Sequence, residues 1–148
     1  MKTLEFQALD FGQSDWRVVE AAELLLNEVV HKDDGQSVRR GELRSFISNL
    51  DERDHRLYGM FEASGAAVAA ADVRHGDAGS LSVWHIAVCE ARRDEGLGTT
   101  FMQHLARVAL ETGDQSVWVP TSRSDFFEKL GFTKSGENSM SMPAVALA

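Results

Sequence analysis

The stretch from Ile86 to Leu105 constrains the fold of this chain more than any other. An apolar run leads into a charged loop with glycines at Gly96 and Gly98, and the apolar residues that follow recur at helical spacing: Phe101, Met102, Leu105 and Ala109. Glycine has no Cβ, so backbone N–H groups in such a loop can approach a ligand closely. The unpaired N–H groups and the dipole of the following helix favour a phosphate. The order strand, glycine loop, helix therefore predicts a diphosphate cradle.

A purely structural turn is the alternative interpretation of the same loop. Glycines are common where a strand passes into a helix, and a short glycine motif matches many unrelated sequences. Two nucleotide-binding motifs are absent from the sequence: nothing matches Gly-x-x-x-x-Gly-Lys-Ser/Thr, and the run from Gly96 to Phe101 lacks the third glycine of the dinucleotide fingerprint. The loop by itself leaves both interpretations open.

Two segments together resemble the GNAT superfamily, the acyl-CoA-dependent N-acyltransferases. Motif A of that family, Gln/Arg-x-x-Gly-x-Gly/Ala after an apolar strand, stands here as Arg93-Asp94-Glu95-Gly96-Leu97-Gly98 after Ile86-Ala87-Val88. Motif B, Phe-Tyr-Glu-Lys-Leu-Gly-Phe, is similar to Phe126-Phe127-Glu128-Lys129-Leu130-Gly131-Phe132. The two matches come in the family's order and spacing. With the predicted elements, the resemblance extends over nearly the whole chain.

The resemblance implies an α/β fold of the α+β type. Its expected form is a GNAT-like three-layer fold, with a mixed, splayed central sheet of six to seven strands and about four helices. The 148 residues are enough for one domain with a sizeable core, so we expect a single domain over residues 1–148.

The apolar patterns predict the elements of this fold. Strands are predicted over Leu4–Leu9, Arg56–Ala63, Ala66–Arg74, Leu81–Val88, Ser116–Val119, Phe132–Lys134 and Ser139–Met142. Helices are predicted from a cap at Ser14 or Asp15 to near Gly35, from Ser37 or Gly41 onward, over Thr99–Glu111 and over Asp125–Leu130.

Two of the predicted assignments are open on propensity alone. The alanine run Ala66–Ala71 could be helical, but its position between Gly65 and Gly76 favours a strand. The apolar C-terminal segment Pro143–Ala148 is expected to be a strand edge or a frayed tail.

Charge and composition exclude several classes of function. Lys plus Arg is 15 and Asp plus Glu is 23, so the formal net charge of −8 argues against a nucleic-acid-binding surface. The negative charge serves solubility or raises the local concentration of a cationic acceptor.

Cys89 is the single cysteine, and no apolar run is long enough for a membrane span. Met1 to Asp10 lacks the apolar core of a signal peptide. We therefore expect a cytoplasmic protein with no membrane partner. No cysteines and histidines stand at metal-ligand spacing, so no metal is expected either.

The resemblance also implies acetyl-CoA as the co-substrate and a primary amine of a small molecule or peptide as the acceptor, which would attack the thioester directly. The loop residues implied in holding the pyrophosphate are Arg93, Asp94, Gly96, Leu97, Gly98 and Thr99. The main chain near Ala87, Val88 and Cys89 would pair with pantetheine as a strand does, at a bulge that splays the fourth and fifth strands. Dimers are frequent in the family, so a homodimer is among the implied assemblies.

The groups that would move protons are not fixed by the sequence. Many family members place a tyrosine in motif B that protonates the leaving thiolate, but Phe127 has no proton to give. Ser82 stands where some members carry a basic glutamate. His85 has a suitable ordinary pKa and lies on the central strand, so it is a candidate base. The predicted catalytic residues are His85 and Ser82, with water-mediated catalysis by Glu62, Asp72 or Glu90 as alternatives.

Three further expectations concern the predicted strand Leu81–Val88, the cysteine that follows it and the function. Alternation places Ser82 and Trp84 on one face and His85 on the other, unless a bulge resets the register. Cys89 is expected to be a small buried thiol. Because Phe127 and Ser82 replace groups that are often catalytic, a degenerate relative that binds CoA or a protein partner without turnover is the alternative function.

Overall fold

A computed structural model describes residues 4–11, 16–30, 40–92, 95–121 and 125–148. These residues form seven strands: β1 (Glu5–Leu9), β2 (Arg56–Phe61), β3 (Ala67–Asp77), β4 (Ser80–Val88), β5 (Ser116–Val119), β6 (Thr133–Gly136) and β7 (Ser139–Pro143). They also form five α-helices: α1 (Trp16–Leu25), α2 (Arg40–Glu52), α3 (Leu97–Glu111), α4 (Asp125–Leu130) and α5 (Ala144–Leu147). A π-helical segment, Leu26–Val30, follows α1, and a 3-10 turn, Glu90–Arg92, precedes α3.

The strands form one mixed sheet in the order β1-β2-β3-β4-β5-β7-β6. The β1–β2, β5–β7 and β6–β7 pairs are antiparallel, and the β4–β5 pair is parallel. The parallel ladder joins Ser80–Ser82 of β4 to Ser116–Trp118 of β5. The mixed α/β sheet expected from the sequence is therefore confirmed, at the upper end of the predicted number of strands.

The chain divides into two compact units, and β3 and β4 contribute residues to both. Unit 1 comprises Met1–Asp72 and His85–Gly98, and unit 2 comprises Val73–Trp84 and Thr99–Ala148.

Unit 1 has a core built from the apolar stripes of its helices and strands. The buried members are Leu9, Val18, Ala21, Leu25, Leu50, Leu57, Phe61, Ala70 and Ala87. Phe46 and Ile47 of α2 pack against this core while half-buried. The alanine run forms the start of β3, and its strand assignment is confirmed. Gly65 makes the hairpin turn before β3 with a φ of +97°, a conformation that favours glycine.

Unit 2 buries the apolar side of α3. Phe101, Met102, Leu105 and Ala109 are all fully buried, which confirms the helical period predicted for this segment. The helix ends before Gly113, whose φ of +85° is the left-handed conformation typical of a residue just beyond a helix C-terminus. The predicted bounds of β5 and α4 match the structure.

Some boundaries differ from prediction. The C-terminal segment is neither a strand edge nor a frayed tail: Ala144–Leu147 is a helical turn with Ala144 and Leu147 buried, and the Ala144 amide donates to the Gln115 carbonyl. Burial of those two side chains in unit 2 decides the conformation of so short a segment. Helix α3 begins at Leu97 rather than Thr99. The predicted caps and helix ends at Ser14, Asp15, Gly35 and Ser37 lie outside the described residues.

No helix in the described ranges is long and apolar enough to span a membrane.

Candidate active site

Two strands of unit 1 bring Asp72 and His85 into contact. Nδ1 of His85 in β4 lies 2.7 Å from Oδ1 of Asp72 in β3. The Asp72 side chain is fully buried, whereas the His85 side chain is 36% exposed. An ionised carboxylate can only accept hydrogen bonds, so Nδ1 of His85 carries the hydrogen and Nε2 of the neutral ring keeps its lone pair. The edge of the Phe46 ring in α2 faces His85, with ring centroids 6.1 Å apart.

A second histidine contacts the other oxygen of the same carboxylate. Nδ1 of His55, immediately before β2, lies 2.8 Å from Oδ2 of Asp72, and His55 is buried. The backbone N–H of His55 donates to the Leu50 carbonyl at 2.8 Å, which fixes its position at the end of α2. We refer to these three side chains as the His55–Asp72–His85 cluster.

Burial and hydrogen bonding act in opposite directions on the cluster. Burial acts to raise the pKa of Asp72, but the hydrogen bonds from His55 and His85, together with their positive charge when protonated, hold that pKa below its ordinary value. The hydrogen bond to Asp72 raises the pKa of His85 above its ordinary value, although partial burial opposes the change. Asp72 is thus an ionised acceptor, and His85 is a stronger base than a free imidazole.

This arrangement distinguishes the predicted bases from one another. In the described part of the chain, Nε2 of His85 forms no hydrogen bond, so it can accept a proton from a ligand. Asp72 is fully buried with a histidine on each oxygen, which is poor geometry for activating a water molecule. Glu62 forms an ion pair with Arg92, and Glu90 is exposed in the 3-10 turn.

His55 is the member of the cluster that the sequence analysis missed. Its one sequence signal is a position at the start of a strand predicted to neighbour the strand of Asp72. The contact depends on the register between β2 and β3, which the turn at Gly65 does not by itself fix.

The described part of the glycine loop runs directly into the N-terminus of α3. Gly96 adopts a φ of +75°, which L side chains rarely adopt, and α3 begins at the next residue. Gly98 and Thr99 therefore lie in the first turn of α3, where N–H groups lack helical partners. Arg92 just before the loop donates from Nε to both carboxylate oxygens of Glu95, at 2.9 and 3.0 Å. The predicted ligand-binding residues Arg93 and Asp94 lie outside the described residues.

At the end of β4, backbone groups of Cys89 are already engaged. Its N–H donates to the Val68 carbonyl of β3 at 2.8 Å, and its carbonyl accepts from the Arg92 N–H at 2.9 Å. Both backbone groups of Cys89 therefore have partners within unit 1. Ala87 is buried. Cys89 is half-buried rather than buried as expected, because it lies in the turn after the strand.

Comparison with known families decides what this architecture is. The family model described as the acetyltransferase (GNAT) family matches residues 20–132, more than half of the chain. The chain belongs to the GNAT acetyltransferase family. The resemblance found in its two motifs is therefore confirmed. A separate comparison with curated proteins gives no match.

Solved GNAT structures share the fold at low sequence identity. Tetrahymena GCN5 superposes with a TM-score of 0.74 and 12% identity, covering 95% of this chain and 96% of its own. A GNAT-family acetyltransferase from Staphylococcus aureus Mu50 gives a TM-score of 0.70 and 12% identity over 96% and 99% of the two chains. The ribosomal-protein-S18-alanine N-acetyltransferase from Escherichia coli gives 0.69 and 16% over 96% and 94%. These similarities establish the GNAT fold of this chain.

Ser82, the other predicted catalytic residue of this GNAT chain, belongs to unit 2. Its hydroxyl donates to the Arg74 carbonyl at 3.2 Å and accepts from Nε1 of Trp84 at 2.9 Å. Ser82 and Trp84 therefore share one face of β4, as alternation predicted. Trp84 also packs against Trp118, with ring centroids 5.4 Å apart. These side chains line a cavity of about 480 Å³ together with Arg74, Ala78 and Ser80.

Phe127, which replaces the frequent tyrosine of the family, is buried within unit 2. Its ring lies 5.0 Å from that of Phe126 and 5.1 Å from that of Phe132, both edge to face. The position is part of an aromatic cluster and supplies no proton.

The described residues contain no group of three or more His, Cys, Asp or Glu side chains that could hold a metal ion.

Proposed function

We propose that this GNAT protein transfers an acetyl group from acetyl-CoA to a primary amine of a small molecule or peptide, by direct attack of the amine on the thioester. The observation that carries the proposal is the hydrogen bond between His85 and the buried Asp72 carboxylate. In a member of an acetyltransferase family, this contact would supply a positioned base on β4.

The proposed reaction begins with removal of a proton from the acceptor amine. An ammonium group must lose a proton before its nitrogen can attack, and Nε2 of His85 would accept that proton directly or through a water molecule. The C–N bond then forms, the C–S bond of the thioester breaks, and the nitrogen gives up its second proton to solvent or to the leaving thiolate. The thiol formed has an ordinary pKa of about 8.5, so the thiolate is a tolerable leaving group and can take its proton from water. Phe127 has no part in this step.

The loop and the start of α3 would hold acetyl-CoA mainly through backbone groups. Gly96, Leu97, Gly98 and Thr99 combine a left-handed turn with a helix N-terminus, an arrangement that suits the pyrophosphate. The engagement of Cys89 with β3 favours Val88 as the main-chain partner of pantetheine in this proposal. Arg93 and Asp94 complete the proposed loop. Glu95 and Glu62 both pair with Arg92 and largely neutralise its charge, so we expect weaker binding of the phosphates rather than none.

The proposal also covers the domain organisation, location, partners and assembly of the protein. One domain over residues 1–148 acts in the cytoplasm, on an acceptor whose positive charge suits the net charge of −8. Nucleic acid and membranes are not partners, and a homodimer is the expected assembly if the protein is not a monomer.

Release of free thiol from acetyl-CoA tests the function. The purified protein is incubated with acetyl-CoA and a panel of polyamines, aminoglycosides, amino acids and peptide N-termini. We expect thiol release above background with at least one amine class, and loss of that release in His85→Gln. His104→Gln is the matched control, since it removes a histidine of α3 outside the proposed site.

A degenerate relative that binds CoA or a protein partner without turnover is the second candidate, favoured by the packing of Phe127 among aromatic rings and by the engaged hydroxyl of Ser82. Protection of the fold against heat by CoA, with no thiol release across the panel, would support this candidate. Failure of CoA to raise the melting temperature would contradict both, because a ligand that binds the native state must stabilise it.

A further inference from the structure

The cluster contains a third residue, His55, that proton transfer by His85 does not require. A base positioned by a carboxylate needs two residues, His85 and Asp72. The structure adds His55 on the opposite carboxylate oxygen, 2.8 Å from Oδ2, while His85 lies 2.7 Å from Oδ1. Each oxygen of the buried carboxylate thus has its own histidine donor.

We propose that His55 is a positioning residue for acetyl transfer, one that anchors the Asp72 carboxylate through Oδ2 and thereby fixes the ring orientation and the tautomer of His85. The inference rests on the proposed function, since it assigns His55 to the same proton-transfer site. His55 is 8% exposed and acts through Asp72 rather than on the acceptor.

The anchoring follows from the freedom of an aspartate side chain. Rotation of a carboxylate about its last torsion is broad, so one hydrogen bond from His85 would leave the plane of the group poorly defined. A second donor on the other oxygen removes that freedom. The ring of His55 can serve as the fixed point because its backbone N–H is held by the Leu50 carbonyl.

His55 also weakens Asp72 as an acceptor for His85. The titratable groups that face one another are His55 from the start of β2, Asp72 from β3 and His85 from β4, and α2 contributes the uncharged ring of Phe46. A hydrogen bond from His55 stabilises the negative charge of the carboxylate, which then attracts the His85 proton less strongly. Loss of that donor should raise the pKa of His85, whereas loss of the carboxylate should lower it.

Histidine ring titration by ¹⁵N NMR on the full chain tests the proposal. His55→Leu removes the donor, and His55→Asn keeps an amide donor close to the position of Nδ1. We expect the midpoint of His85 to move to higher pH in His55→Leu, to stay near the wild-type value in His55→Asn and to move to lower pH in Asp72→Asn. A folded His55→Leu protein with an unchanged His85 midpoint would overturn the proposal and leave His55 as a packing residue.

The wild-type protein supplies a second test in case His55→Leu does not fold. At alkaline pH the ¹⁵N shifts should show both His55 and His85 as the Nδ1–H tautomer, and an Nε2–H tautomer for His55 would overturn the inference.

The NMR readouts do not depend on turnover, so they separate failure of this inference from failure of the proposed function. Where turnover is measurable, we expect kcat to fall about tenfold to a hundredfold in His55→Leu at unchanged KM for acetyl-CoA, with recovery in His55→Asn.

Discussion

The two halves of strand β4 use their polar side chains differently. In the half that belongs to unit 2, the hydroxyl of Ser82 bridges the Arg74 carbonyl and the Trp84 ring. In the half that belongs to unit 1, the Nδ1–H of His85 donates a hydrogen bond to the buried carboxylate of Asp72, and Nε2 keeps its lone pair. Proton transfer needs a lone pair that is not already used and a charged partner that stabilises the product. The contrast therefore favours His85 over Ser82 as the base.

The largest expected effect is that of His85→Gln. A positioned general base contributes about 10²- to 10⁴-fold, so kcat/KM for acetyl transfer should fall by that amount while CoA still raises the melting temperature as in wild type. Steady-state thiol release and thermal unfolding with CoA measure the two quantities. An activity within a few-fold of wild type would remove His85 from the mechanism, and the His104→Gln control should retain full activity.

Asp72→Asn tests the charged half of β4 through the pH dependence of the free energy of unfolding. The pKa of Asp72 is lowered, so the stabilisation by its carboxylate is present above the ordinary value of 3.8 and is lost as pH falls through the folded-state pKa. The pKa of His85 is raised, so its contribution is present below 6.5 and is lost as pH rises through the folded-state pKa. The substitution should therefore cost most between about pH 4 and 6.5, by about 1.5–3 kcal/mol for a charged hydrogen bond.

Urea unfolding at several pH values measures that cost. A free energy of unfolding that is equally reduced at all pH values would show that the substitution disturbs packing, and would leave the charge of Asp72 without a role in stability.

Gly96→Ala separates cofactor binding from proton transfer. The Cβ would meet nothing within 4 Å, but the φ of +75° is unfavourable for alanine by about 1–2 kcal/mol. The KM for acetyl-CoA should rise about tenfold at nearly unchanged kcat. Gly41→Ala is the matched control, because Gly41 also has open space but lies in α2 without a positive φ, and it should stabilise the fold slightly. Equal KM values for the two variants would contradict the role of the loop.

Ser82→Ala should have the smallest effect. Loss of two neutral hydrogen bonds costs about 1–3 kcal/mol of stability, and acetyl transfer should change less than about threefold. Thermal unfolding and thiol release on the same preparation measure both. A loss of activity as large as that of His85→Gln would reverse the assignment of the two halves of β4.

Much of the fold could be predicted because its signals are local. The helical period of Phe101, Met102 and Leu105 predicts α3, and Gly65 and Gly76 outweigh the helical propensity of the alanine run between them. The helix at Ala144–Leu147 could not be predicted, because a segment of four residues is too short to be helical on its own and takes its conformation from burial.

The candidate site was only partly predictable, because some of its residues have local sequence signals and others meet only in the folded chain. Gly96 and the helix after it are signalled by adjacent residues, and His85 was a candidate from residue type and strand position. Asp72 in β3 contacts His85 in β4 and His55 just before β2, and the turns between these strands do not by themselves give the register that brings the side chains together.

The pH dependence of kcat/KM, compared between the wild type and Asp72→Asn with one acceptor amine, tests most directly whether His85 is a base tuned by Asp72. In the wild type the rate should rise with pH along a limb above pH 6.5, since the pKa of His85 is raised. In Asp72→Asn that limb should move to lower pH, because the carboxylate that raises the pKa of His85 is gone. Identical limbs in the two proteins would contradict the account, because the acceptor amine would then set the pH dependence.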